Sequence, residues 1–194
     1  MSRIGVMGED ATDVETLVVL LRRIVPGSVG VKTKAPPSGR GGCAKLVRSA
    51  PTYMKELWAS GCTLAILLHD LDLDSANNEL KDEKKLRAHL SALPVPAGLE
   101  LVICIPVEEI EAWFWSDQAV LDRVGIRAKA SSSPHLIKKP KEQLRDLSLR
   151  THHKVKYATT QNPKLAEDLN LELCAQRCPA FASLREQVLR RFGT

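Results

Sequence analysis

The sequence predicts an α/β protein: a mostly parallel, four-stranded sheet flanked by helices and followed by a helical C-terminal portion. Three observations predict it. Strand-like and helix-like stretches alternate in β-α-β-α-β-α-β order as far as Ile105. Within that stretch, Leu64 to Leu68 and Leu101 to Ile105 are continuous apolar runs, as expected of parallel strands covered on both faces. Beyond Ile126 the alternation stops and helical spacing takes over. The expected division is a core over 1–126 and, over 127–194, a basic linker with a helical subdomain packed on that core.

Each element has its own signal. Arg3 to Gly8 is a short β-rich run. Thr12 to Val25 spaces its apolar residues helically, and Thr12 with Glu15 three positions later has the order of a capping box. Ser28 to Lys34 alternates apolar and polar residues as a half-buried strand does, and Ala35 to Gly42, rich in Pro and Gly, predicts a mobile loop. A helix from Cys43 to Ala59, a strand from Cys62 to His69, a helix from Glu79 to Leu93 and a strand from Glu100 to Ile105 complete the alternation. Ala130 to Pro134 reads as a Ser-rich linker. Lys141 to Leu149, Pro163 to Leu169 and Ala180 to Phe192 read as helices, and no internal repeat is present.

At 194 residues, 44% apolar and 26% charged, the chain has the composition of an ordinary folded domain, neither fibrous nor disordered. No apolar run approaches the ~18 residues of a membrane span, and Met1-Ser2-Arg3 opens no signal-peptide apolar region, so a cytoplasmic protein without membrane contact is expected. The five cysteines form no C-x-x-C pair, and Cys62 and Cys104 sit in apolar runs where a reduced thiol packs as a small hydrophobe.

The net charge of +5 is unevenly spread. Arg127 to Lys164 holds ten Lys or Arg against Glu142 and Asp146, a local excess of +8 that leaves the rest of the chain at −3. Thr16 to Lys55 contains no acid at all and carries Arg40, Lys45 and six other basic residues. Such stretches suit a polyanion, although a merely solvated basic surface has the same composition, and few aromatics are present to stack on bases.

In an open α/β sheet, ligands bind at the carboxyl ends of the strands. Here those ends are acidic: Glu9, Asp10 and Asp13 after the first strand, Asp70, Asp72 and Asp74 after the third, and Glu108, Glu109 and Glu111 after the fourth. Helix-terminal placement accounts for Asp13, and turn capping for Asp74. Neither reaches Glu9, which precedes the helix by too much, nor Asp70 and Asp72, which share one side of a still extended chain. Glu111, on a helix of 3.6 residues per turn, projects into the apolar stripe of Val107, Ile110 and Phe114, whereas Glu108 and Glu109 point elsewhere. Two carboxylates about 4 Å apart repel by roughly 4 kcal/mol at an effective dielectric near 20, so converging acids bind protons or attract a cation. Oxygen donors without cysteine or a well-placed histidine select a hard ion, Mg²⁺ or Mn²⁺.

A glutamate in Gly8-Glu9-x-x-Thr12-Asp13 together with Asp70-x-Asp72 resembles the TOPRIM arrangement of primases, topoisomerases and nucleases of the overcoming-lysogenization-defect type. The run Ile105-Pro106-Val107-Glu108-Glu109-Ile110-Glu111-Ala112-Trp113-Phe114 more narrowly resembles a bacterial TOPRIM-like family catalogued as a domain of unknown function (4276 type). Ser38-Gly39-Arg40-Gly41-Gly42, Lys139-Pro140-Lys141, Lys156-Tyr157 and Cys178-Pro179-Ala180-Phe181 extend the likeness over most of the chain, with Asp10 standing where related proteins usually have glycine. The resemblance implies a TOPRIM-like fold and metal-dependent phosphoryl transfer on nucleic acid, DNA foremost. It implies Glu9 as general acid or base, and Asp70 and Asp72 as holders of one or two ions. Glu111, Asp13 and Asp74 are additional candidate ligands. Arg40, Lys45, Lys138, Lys139 and Lys141 are candidates for the phosphate backbone on charge and position.

Two other classes compete. A phosphoacceptor receiver also places acids after strand one and an aspartate after strand three, and Lys139-Pro140 echoes its lysine-proline pair. A catalytically silent module would instead dock on a partner such as an ATPase of an anti-phage defence system. Trp113 and Trp115 are candidates for that contact, against the more ordinary reading of core tryptophans.

Overall fold

The computed structural model describes residues 3–25, 27, 29–36, 42–71, 81–152 and 157–193. Four strands, β1 (Arg3–Met7), β2 (Gly30–Lys34), β3 (Cys62–Leu68) and β4 (Glu100–Cys104), form one sheet in the order β2-β1-β3-β4, every pair parallel. The expected alternation and the four strands are therefore present, each strand ending within a residue of where the apolar pattern stops.

Strand periodicity divides the core into two layers. Ile4 and Val6 of β1 and Leu64, Ile66 and Leu68 of β3 face α1 (Ala11–Ile24) and the C-terminal helices. Met7, Ala65 and Leu67 face α2 (Cys43–Ala59) and residues of α3 (Glu83–Ser91), Leu90 among them, and Cys62 joins them out of phase at the start of β3, where its register with β1 shifts. Parallel strands need helical crossovers, and α1 on one face with α2 and α3 on the other supplies them. Gly8 lets α1 come close: a Cβ there would lie 2.8 Å from Val14 Cγ2.

After β4 comes a 3₁₀ helix (Ile110–Ser116), then α4 (Gln118–Arg123), α5 (Pro140–His152), α6 (Asn162–Asp168), α7 (Leu171–Arg177) and α8 (Pro179–Phe192). Their apolar faces continue the core on the α1 side, where Trp113 meets Phe181 edge to face at 5.1 Å. Arg23 ties α1 to α6 by donating to the carbonyls of Ala166 and Leu169, both at 2.7 Å, so this member of the acid-free basic stretch is structural. Trp113 and Trp115 are buried, the latter donating from Nε1 to the Pro140 carbonyl at 3.2 Å, and neither offers the partner contact considered for them.

Several expectations are corrected. Asp10, not Thr12, caps α1, its Oδ1 accepting from the Thr12 N–H at 2.7 Å. The third helix begins at Glu83 behind an Asp82 cap, residues 79 and 80 lying outside those described. The Ser-rich stretch is packed in place, with the Ser131 N–H on the Trp115 carbonyl at 2.8 Å. Helices α4 and α7 have no counterpart among the elements expected from the sequence. Among the described residues no helix is long and apolar enough to cross a membrane.

Candidate functional site

The strand order fixes where a site can lie. From β1 the chain moves to β2 on one side and later to β3 on the other, so the crossovers diverge between β1 and β3 and leave a crevice beyond their carboxyl ends. Glu9 follows β1 and Asp70 follows β3. Asp70 continues the parity of Leu64, Ile66 and Leu68, which directs it to the α1 side of the sheet. The backbone around it remains paired: His69 N–H donates to the Cys104 carbonyl at 3.0 Å and Leu71 N–H to the Pro106 carbonyl at 2.9 Å.

At this crevice lies a cavity of about 510 Å³ whose walls include Glu9, Asp10, Asp13, Asp70, Glu111 and Lys141. The structure thus brings together four predicted site residues from three strand ends, Glu9, Asp13, Asp70 and Glu111, with one predicted phosphate-binding lysine. Asp72, Asp74 and Arg40 lie outside the described residues. Lys45, Lys138 and Lys139 are not among the cavity walls, and the last two are exposed. Lys139, the lysine of the receiver-like pair, is thus not one of the residues that share this cavity with Asp70.

Lys141 is turned toward the acids: its Nζ lies 2.7 Å from Glu109 Oε1. A local latch puts it there. Glu108 and Lys139 both have left-handed backbone, φ 58° and 51°, and the Lys139 N–H donates to the Glu108 carboxylate. Left-handed conformations outside glycine cost of order 1–2 kcal/mol each, so this contact holds the start of α5 in a place the local backbone does not favour. Glu108 and Glu109, expected to point elsewhere, are the anchor and the lysine's partner.

Glu111 is 3% exposed despite its charge, as its place in an apolar stripe predicts, although the element is 3₁₀ rather than α. Its Oε1 accepts from Asn162 Nδ2 at 3.0 Å. The Tyr157 hydroxyl lies 3.0 Å from that same oxygen and 2.8 Å from Asn162 Oδ1, so its single proton serves one acceptor at a time. The C-terminal portion therefore orients a carboxylate supplied by the sheet edge.

The acids perturb one another. Burial first, then the charges of Glu111, Asp10 and Glu9, push the Asp13 carboxyl up to about 8, with Lys141 opposing. Asp70 is raised well above the usual carboxylate range by burial and by Asp13, Glu9, Glu111 and Glu109. Burial and the Glu111 charge likewise raise the Tyr157 phenol. For Lys141, burial favours the neutral amine, but the Glu109 hydrogen bond and the charges of Glu109, Glu111 and Glu142 outweigh it and hold the ammonium.

Two residues outside the expected set, Cys43 and His69, adjoin Glu9 and Asp70. Cys43 Sγ lies 3.2 Å from Glu9 Oε2 and 3.8 Å from His69 Nδ1. His69 sits at the end of an apolar strand and Cys43 at the start of a helix, and neither position carries a pattern that marks a site.

The donor set fits a hard divalent ion in kind, being oxygen-only and over-charged for one lysine. As they stand, no three His, Cys, Asp or Glu side chains among the described residues come close enough together to hold a metal ion. No curated protein and no solved structure matches the chain. A family model does match, over residues 9–189, a span that runs from Glu9 into α8 and includes all the cavity walls named above: the chain belongs to the family described as domain of unknown function (DUF4276).

Proposed function

We propose that this protein is a Mg²⁺- or Mn²⁺-dependent phosphoryl-transfer protein acting on nucleic acid in the cytoplasm, a nuclease with a TOPRIM-type site and DNA as its foremost substrate. The observation that carries the reading is the convergence of Glu9, Asp13, Asp70 and Glu111 on one cavity at the switch point of the sheet. The crowding that raises Asp13 and Asp70 is the crowding a divalent cation relieves.

Asp70 and Asp13 would hold the ion, with Glu111 beside them and Asp72 and Asp74 as further donors. When bound, the ion supplies Lewis-acid activation of water and stabilisation of a leaving oxyanion. Glu9 has no capping duty, and in this reading its carboxylate takes the proton of the attacking water and returns one to the leaving oxygen. Tyr157 and Asn162 keep Glu111 in one orientation. Lys141, held as an ammonium at the cavity wall, offers a donor to a phosphate oxygen.

Incubating supercoiled plasmid and single-stranded DNA with Mn²⁺ and the purified protein tests the reading, with nicked or shortened products expected. Intact DNA after hours, with and without an ATPase partner, would sink it in favour of the silent partner-binding module. Labelling of Asp70 by acetyl phosphate would instead select the receiver reading.

Binding of nucleic acid through exposed Lys138 and Lys139 makes a separate prediction. Replacing both with Gln should lower the slope of log affinity against log salt by about 0.9 for each phosphate they neutralise on duplex DNA, or about 0.7 on a single strand. Lys141→Gln should change the slope less, because its charge is already engaged by Glu109. An unchanged slope in the double variant would make these lysines ordinary solvated charges.

A further inference from the structure

We propose that Cys43 is a positioning residue for Glu9, its thiol setting the direction in which the Glu9 carboxylate faces the cavity. The catalytic consequence rests on the phosphoryl-transfer reading; the contact itself does not.

Cys43 is the first residue of α2 and follows Gly42, which lines the same cavity as Glu9. Its Sγ has Glu9 Oε2 at 3.2 Å and His69 Nδ1 at 3.8 Å. The proton positions follow from the third contact: His69 Nδ1 lies 2.8 Å from the Asp70 carbonyl oxygen. A carbonyl only accepts, so Nδ1 carries a proton and directs it there. A protonated Nδ1 has no lone pair to take the thiol hydrogen, which excludes a cysteine–histidine pair in which imidazole activates the thiol. The S–H donates to Glu9 Oε2. His69, 5% exposed and fixed by the Asp70 backbone, is the wall against which the thiol is set.

The result is a chain of contacts, Asp70 backbone to His69 to Cys43 to Glu9, that links the carboxyl ends of β1 and β3 through the start of α2. One Glu9 oxygen is engaged by the thiol, which restricts how the carboxylate can turn. A group that must meet a water proton in one orientation gains from such a restraint, because misplacement costs rate more than binding. Cys43 also borders a separate cavity of about 380 Å³, lined by Val47, His69, Leu86 and His89 as well, and it is only partly buried. The remaining four cysteines are buried, so Cys43 is the thiol a reagent reaches first.

Two measurements test the assignment. In Mn²⁺-dependent cleavage, Cys43→Ala should lose about tenfold in kcat at unchanged KM, and Cys43→Ser, which keeps a donor, should recover to within about threefold of wild type. A Cys43→Ala protein with wild-type kcat, or a Cys43→Ser protein as slow as Cys43→Ala, would overturn the proposal. The second measurement needs no activity: N-ethylmaleimide alkylation of Cys43, followed by mass spectrometry, in wild type and in Glu9→Ala. Losing the acceptor should speed alkylation several-fold, and equal rates would overturn the contact. Should wild-type protein leave DNA intact, the phosphoryl-transfer reading fails, and the alkylation rates alone decide whether Cys43 holds Glu9.

Discussion

Glu9→Gln should slow Mn²⁺-dependent cleavage by about 10²-fold or more while Mn²⁺ affinity stays within about threefold of wild type. Gln keeps the length and shape of the side chain, and its amide oxygen still accepts from the Cys43 thiol, so the wall of the cavity is preserved. What it lacks is the ability to carry a proton at neutral pH. Mn²⁺ binding measured by calorimetry beside the rate separates the two roles. A variant that cleaves at the wild-type rate would remove Glu9 from the chemistry, and one that no longer binds Mn²⁺ would move it from proton carrier to ligand. Asp10, next to it, does not compete for the role, because its carboxylate is committed to the Thr12 N–H at the start of α1.

The acids at the strand ends are legible in the sequence because two physical rules overlap there. Continuous apolar runs mark buried parallel strands, and the residues just past them sit at the one edge of the sheet where divergent crossovers leave space. Asp70 is the clearest case, since strand parity carries its position forward from Leu64, Ile66 and Leu68. Glu111 is legible for a different reason: a lone charge in an apolar stripe must be buried, whichever helix type forms. Its partners are not legible. Tyr157 and Asn162 lie 46 and 51 residues further along the chain, and no local pattern records which buried acceptor a distant hydroxyl or amide will meet.

The same limit hides the Glu109–Lys141 pair, 32 residues apart, and the approach of Cys43 to Glu9. Lys141 reads from sequence as one of a basic cluster, and only the latch between two left-handed residues turns it inward while Lys138 and Lys139 stay outside. The misassigned cap of α1 has a local cause. Asp10 and Thr12 both suit a cap, and the capping-box spacing from Thr12 to Glu15 masks the stronger acceptor two residues earlier. Helices α4 and α7, with six and seven residues, are too short for a 3.6-residue period to stand out, whereas α6, equally short, is marked by the proline at its start.

Asp13→Asn should stabilise the metal-free protein, and by an amount that grows with pH. The Asp13 carboxyl is raised from 3.8 to about 8, by burial and then by Glu111, Asp10 and Glu9, so the native protein keeps a proton that the unfolded chain releases above pH 3.8. The stability linked to that proton is complete below about pH 4 and is lost as pH rises through about 8. Asparagine resembles the protonated form and has nothing to release. Wild type and variant should therefore melt alike near pH 4 and diverge toward pH 8, where the variant gains about 2 kcal/mol after allowance for the carboxyl's contact with solvent, or about 4–8 °C in Tm. Asp70 is raised in the same direction, so Asp70→Asn should behave similarly. Thermal melts in chelator-treated buffer across that range decide it: parallel curves at every pH would mean that Asp13 is ionised at no cost in the native protein. Mn²⁺ should then narrow the gap between the two proteins, stabilising wild type at pH 8 more than Asp13→Asn, because the amide has removed one of the charges that draws the cation in.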